Sequence, residues 1–202
     1  MSVGTALSRV AEIETALEPP VATGGTEAAS GRFAEILNGA AAVGQNTALG
    51  GAGAASEAGL RAVEFARGEI GQAEQPPGSN DSARIAQYRE AVAGAGVGPW
   101  CADFVSWAAR QAGAPLGDNG EGFQSVGAIW SWAESSGRAI PADQGPPRPG
   151  DLIVWGGEHV GIVEAVLPDG SIRTIEGNSS DRVSQRTYGP DGGGATGYVR
   201  LG

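Results

Sequence analysis

The stretch Gly98-Pro99-Trp100-Cys101-Ala102-Asp103-Phe104-Val105-Ser106-Trp107 decides the reading of this chain, because it sets the only cysteine at the start of a helix. Phe104, Val105, Ala108 and Ala112 recur at helical spacing, Pro99 blocks extension backwards, and Gly113 with Pro115 closes the segment. Cys101 then faces backbone N–H groups that have no intrahelical acceptor. Those groups and the helix dipole favour the thiolate, the reactive form of a thiol whose free pKa is about 8.5. A plainer role is equally compatible with this position, a small apolar side chain filling a core.

Outward from Cys101, composition narrows the chemistry. The chain has one histidine, His159, and all 13 cationic side chains are arginine. A Schiff-base or Ser-Lys mechanism is therefore excluded, and a Cys-His mechanism within one chain must pair Cys101 with His159. A single cysteine permits no internal disulfide and no multi-cysteine metal site. The net charge of −10 argues against a nucleic-acid backbone or an anionic membrane as the main partner. No apolar run reaches the roughly 18 residues of a membrane span, and the N-terminus lacks the basic start and apolar stretch of a Sec-type signal peptide.

At 202 residues the chain accommodates one domain with an appendage. Val3, Leu7, Val10, Ile13 and Leu17 form a helical stripe stopped by Pro19-Pro20, and Arg32 to Leu37 offers a second short helix. Residues 38–56 have linker composition, too poor in large apolar side chains to offset chain entropy. The expectation is a flexible arm over 1–56, with one or two short helices able to dock a protein partner, followed by a folded domain over 57–202.

Within that domain Leu60, Val63, Ala66 and Ile70 mark an amphipathic helix closed by Gly71. Ser79, Asn80 or Asp81 is placed to cap the next, in which Ile85, Tyr88 and Val92 face inward. The Cys101 helix follows, and then one over Ser125 to Ser135, with Gly137 at its end. The pattern then turns to strands. Asp151 to Trp155, His159 to Val166, Ser171 to Glu176, Arg182 to Tyr188 and Gly197 to Leu201 read as a sheet, with Pro168-Asp169-Gly170 as a tight turn. Helices first and an antiparallel sheet afterwards is an α+β layout, with the helices packed on one side of the sheet.

Folding the strands about the 168–170 turn brings His159 opposite the neighbourhood of Asn178, with Glu176 one pleat away. An imidazole then meets a carboxylate and an amide, and a Cys101 helix crossing the same end of the sheet completes the nucleophile, base and orienting group of a thiol hydrolase. His159 takes the Cys101 proton and returns it to the leaving amine; Glu176 or Asn178 fixes its tautomer. The Cys101 N–H is the natural first oxyanion donor, and Asn80 and Tyr88 are candidates for a second.

The set Pro99-Trp100-Cys101-Ala102-Asp103-Phe104-Val105-Ser106-Trp107, Pro149-Gly150-Asp151-Leu152-Ile153-Val154-Trp155, His159-Val160-Gly161-Ile162-Val163 and Glu176-Gly177-Asn178 resembles the CHAP domain, the cysteine, histidine-dependent amidohydrolase/peptidase family. The resemblance covers roughly Ala58 to Gly202, with Cys, His, Glu and Asn in the family's order. It implies a papain-like fold and a cysteine amidase or endopeptidase acting on peptidoglycan at the bacterial cell wall, outside the cytoplasm. The bond is either that between sugar and stem peptide, as in an N-acetylmuramoyl-L-alanine amidase, or one within the peptide. Members that bind calcium carry an acidic loop. Asn80-Asp81 alone supplies too few oxygen ligands to match it, so no metal and no cofactor is expected.

Trp100 and Trp155, beside Cys101 and His159, are the tryptophans best placed to bind substrate, whereas Trp107, Trp130 and Trp132 fall on helix faces as core. Arg173 and Arg182 are possible receivers of a stem-peptide carboxylate. The arm is weakly similar to those of cell-wall hydrolases carried by flagellar or phage-tail assemblies. Two other functions fit the same residues: an antibacterial amidase effector with an immunity partner, and a catalytically silent cell-wall or assembly scaffold.

Overall fold

A computed structural model describes residues 54–202. The Val3 to Leu17 stripe, the Arg32 to Leu37 helix and the linker up to residue 53 lie outside the described residues. Helix α1, Glu57–Gly68, is capped by Ser56, whose Oγ accepts the Gly59 N–H at 2.9 Å and donates to the Leu201 carbonyl. It buries Gly59, Ala62, Val63 and Ala66; of the expected stripe Val63 and Ala66 face inward, Leu60 is exposed, and Ile70 lies exposed beyond the helix end. The small residues win that face because they let its backbone come close to the helix beneath.

Helix α2, Ala83–Arg89, is capped by Ser82 rather than by Ser79, Asn80 or Asp81, which form the turn before it. Helix α3, Cys101–Gln111, is buried from Cys101 through Ala109 and packs against α1 and α2. Helix α4, Val126–Ser135, takes its cap from Ser125, and Gly137 follows in the left-handed region at φ 69°.

The six strands are β1 Ala139–Pro141, β2 Leu152–Trp155, β3 His159–Val166, β4 Ile172–Glu176, β5 Ser184–Tyr188 and β6 Gly197–Val199. They form one antiparallel sheet in the order β1-β6-β2-β3-β4-β5. β1 was not expected, being three residues long and ending in a proline, which cannot donate to a ladder. β5 starts later than expected because Arg182 and Val183 pair with residues 71–73 after α1 instead of with β4.

Alternation divides the side chains between two cores. Leu152, Val154, Val160, Ile162, Ile175 and Val199 pack with Phe104, Val105, Ala108 and Ile129 of the helices. Ile153, Val163, Ile172 and Tyr198 form a second cluster, joined by Trp155, on the other face.

One irregularity sets the site. Val166 pairs with Ile172 and Ala165 with Arg173, but beyond a bulge at Glu164 the pairs are Val163 with Thr174 and Ile162 with Ile175. A shift of one residue reverses which face each side chain occupies. Continued to the end of β4, the shifted register sets Glu176 beside Gly161, on the face of His159; the unshifted one would have sent its carboxylate to the other face. The bulge is anchored by Glu164 itself, which is buried and ion-paired to Arg67 at 2.8 Å and Arg173 at 2.7 Å. Arg173 is thereby committed to the fold and is not a free receiver for a substrate carboxylate.

Candidate active site

Cys101 is the first residue of α3, and no side chain caps that helix. Its N–H therefore has no intrahelical acceptor and stays available at the helix start. His159 opens β3 at the end of the sheet nearest this point, and the carbonyl of the preceding Glu158 lies 4.0 Å from Cys101 Sγ. Although His159 projects from the sheet face turned away from the helices, its place at the strand end brings the ring near enough to Cys101 for the thiol to raise its pKa.

The other ring nitrogen is held from behind. His159 Nε2 lies 2.9 Å from Glu176 Oε2, and Glu176 is 1% exposed. The second oxygen, Oε1, accepts from Thr174 Oγ1 at 2.5 Å and from the Tyr188 hydroxyl at 2.9 Å. Burial alone would raise the carboxyl's pKa, but the hydrogen bonds from His159, Thr174 and Tyr188 and the imidazolium charge outweigh it and hold it below the ordinary value. An ionised carboxylate only accepts, so Nε2 must carry a proton and Nδ1 is left to the thiol. Burial would likewise lower the imidazole pKa. The neighbouring Cys101 thiol and the Glu176 carboxylate more than offset it and bring the ring up to about 9.

Gly161 makes this diagonal contact possible. A Cβ at that position would stand 2.7 Å from Glu176 Cγ, so any side chain would push the carboxylate off its line to His159. Gly161→Ala is expected to lower turnover by about tenfold or more while costing about 1–3 kcal/mol of stability, as overpacking does. Steady-state rates set beside chemical melts of the same preparation check both. Trp155 covers the imidazole from the other side, the rings stacking at 5.5 Å and 27°, and its indole N–H is fixed on the Gly192 carbonyl at 2.8 Å.

The remaining expected site residues fall elsewhere. Asn178 does not reach His159. With its amide turned to satisfy both neighbours, it donates to Glu74 Oε1 at 3.2 Å and accepts the Trp100 backbone N–H at 3.3 Å. It thus ties the end of β4 to the entry of the cysteine helix, and the orienting contact to the imidazole belongs to Glu176. Trp100 lines no open cleft: it is fully buried, stacks on Tyr88 at 5.8 Å, and donates its indole N–H to Glu74 at 3.0 Å. Tyr88 is likewise fully buried with its hydroxyl spent on Glu69 at 2.6 Å, so it is no oxyanion donor. Asn80 lies within 3.3 Å of the Asn178 amide, and Arg182 is exposed on the neighbouring turn. Trp155 alone of the two expected aromatic contacts borders the thiol–imidazole pair.

Asp103, in the first turn of α3, is fully buried, and its Oδ1 has no hydrogen-bond partner. Desolvation raises its pKa to about 6 against the hydrogen bond from Gln124 and the charge of Arg89. A carboxyl raised above its unfolded value costs stability progressively as pH climbs from about 4 to 6 and beyond. Asp103→Asn is therefore expected to stabilise the protein by about 1–2 kcal/mol at pH 8 and to have little effect at pH 4. Urea unfolding at the two pH values measures the difference.

Among the described residues there is no group of three His, Cys, Asp or Glu side chains able to hold a metal ion, and no helix is long and apolar enough to cross a membrane. A family model described as the CHAP domain matches residues 93–178, which take in Cys101, His159, Glu176 and Asn178 and stop short of Tyr188. The chain matches no curated protein and no solved structure.

Proposed function

Residues 93–178 belong to the CHAP domain family, and from that premise we propose that the chain is a thiol-dependent hydrolase of an amide bond in peptidoglycan, acting outside the cytoplasm. The family assignment indicates a hydrolase of the amidase or peptidase type. The observation that carries the thiol-dependent reading is the single imidazole, 2.9 Å from a buried carboxylate and near enough to the only thiol for that thiol to raise its pKa.

In this reading Cys101 Sγ, its proton passed to His159 Nδ1, attacks the amide carbonyl carbon. A C–S bond forms and the carbonyl electron pair moves to oxygen, where the Cys101 N–H at the helix start receives it. Collapse breaks the C–N bond, and the imidazolium gives its Nδ1 proton to the departing amine. Water then attacks the thioester with Nδ1 as base, releasing the carboxylic acid and restoring the thiol. Glu176 stays ionised throughout and stabilises the positive ring without taking its proton. Trp155 shields the ring from water and offers an aromatic face at the border of the site.

Digestion of purified peptidoglycan by the full chain, followed by mass spectrometry of the soluble products, tests the proposal. Intact stem peptides freed from sugar identify an amidase, and shortened or uncrosslinked peptides an endopeptidase. Absence of both, with Cys101 unmodified by iodoacetamide, overturns it.

A further inference from the structure

We infer that Tyr188, together with Thr174, is a positioning residue for the proposed reaction, acting on His159 through the second oxygen of Glu176. Their hydroxyls bond to Glu176 rather than to the thiol or the imidazole, and Tyr188 lies beyond the segment matched by the family model. The inference rests on the reading of Cys101 and His159 given above.

Three observations converge on it. Both hydroxyls donate to Oε1, at 2.5 Å from Thr174 and 2.9 Å from Tyr188, so the carboxylate cannot swing without breaking two hydrogen bonds, and Oε2 is the oxygen left for Nε2. The Tyr188 ring also packs on Trp155 at 5.1 Å, and Trp155 in turn stacks on His159, so one side chain supports the imidazole along two routes. Tyr188 is itself braced by the 189–194 loop: a Cβ at Gly193, whose φ is +66°, would stand 2.6 Å from its ring. The same loop supplies the Gly192 carbonyl that holds the Trp155 indole.

The charges around this group are few. Cys101 of α3 and Glu176 of β4 act on His159; Glu176 and Arg186 act on Tyr188. Burial and the Glu176 charge push the Tyr188 hydroxyl up to about 12, so it remains a donor wherever the imidazole titrates. A neutral donor on Oε1 draws electron density from the carboxylate and moderates its grip on the ring proton. Without it the carboxylate becomes more basic, the imidazolium is held more tightly, and Nδ1 yields its proton to the leaving amine less readily.

The test uses the fact that the chain has one histidine, so its ring resonances can be followed by NMR from pH 5 to 11 in the untagged protein without assignment ambiguity. Tyr188→Phe keeps the ring against Trp155 and removes only the hydroxyl; Thr174→Val does the same on the other side. Each is expected to move the His159 midpoint upward by about 0.3–1 pH unit and to lower kcat on a soluble muropeptide by about threefold to tenfold, with KM little changed. A merely structural role would lower the melting temperature and leave the midpoint in place. An unchanged or lowered midpoint in the variants overturns the inference, and Thr174→Val answers the question should Tyr188→Phe not fold. The titration is independent of turnover: a parent protein that hydrolyses nothing removes the proposed function, whereas the midpoint shift stands or falls by itself.

Discussion

Cys101→Ala is expected to abolish release of soluble products from purified peptidoglycan, and His159→Ala to lower it by about 10⁴-fold or more. Members of a nucleophile–base unit act together, so either loss removes most of what the pair supplies, and the double variant should be scarcely worse than the single ones. Stability is the control. Cys101 is a small buried side chain, and its truncation removes little volume; His159 stands at a strand end with its side chain 28% exposed. Each variant should therefore fold, with melts shifted by no more than about 1–3 kcal/mol. The sole thiol also gives a readout that needs no substrate: iodoacetamide should modify Cys101 of the parent readily near neutral pH and that of His159→Ala far more slowly, because the base that takes its proton is gone. Retained turnover in either variant would refute the thiol–imidazole mechanism, whatever the fold.

The elements of this site were legible in the sequence because strong local signals define them. Pro99 and the spacing of Phe104, Val105 and Ala108 fix where the cysteine helix starts, and the β-branched residues Ile153, Val154, Val160, Ile162, Val163 and Val166 mark β2 and β3. Which residue faces the imidazole was not legible. Alternation puts Glu176 and Asn178 on one face only if the strand runs on, but β4 ends at Glu176 and Asn178 turns away at φ 54°, while the face that Glu176 itself takes depends on the one-residue shift at the Glu164 bulge. No spacing rule announces that bulge; its cause is a buried carboxylate gathering Arg67, Arg173 and Gln185 from three separate segments. Thr174 could have been found, since it stands two residues from Glu176 on the same face. Tyr188 could not, because its strand pairs it with Ile172 rather than with Glu176, and only the curvature of the sheet and the length of the side chain bring its hydroxyl to the carboxylate. Trp100 misled for a related reason: adjacency to the cysteine in sequence says nothing about which way a residue at a helix entry points, and the buried Glu74 carboxylate captured its indole.

Glu176→Gln carries the second large effect, and the sign of its pH dependence follows from the site. A glutamine oxygen can still accept the Nε2 hydrogen while its amide donates to the Thr174 and Tyr188 oxygens, so shape and tautomer survive and only the charge is lost. With the carboxylate gone, only Cys101 still opposes burial, and the imidazole pKa should fall from about 9 toward its ordinary value near 6.5. At neutral pH the thiol then loses its protonated partner, and turnover should drop by about 10²–10³-fold. Stability follows the same linkage. A histidine whose folded pKa is raised contributes stabilisation that is complete below about pH 6.5 and is lost as pH rises through 9. The depressed Glu176 pKa contributes stabilisation above the ordinary carboxyl range that is lost as pH falls through its folded value. The parent should therefore exceed the variant by about 2–3 kcal/mol near pH 6, with the gap closing above about pH 9. Urea melts at half-unit steps from pH 5 to 10, run on both proteins, give the two curves. Parallel curves across that range would mean that the carboxylate and the imidazole are neighbours without being a charged pair, and would leave the thiol without its base.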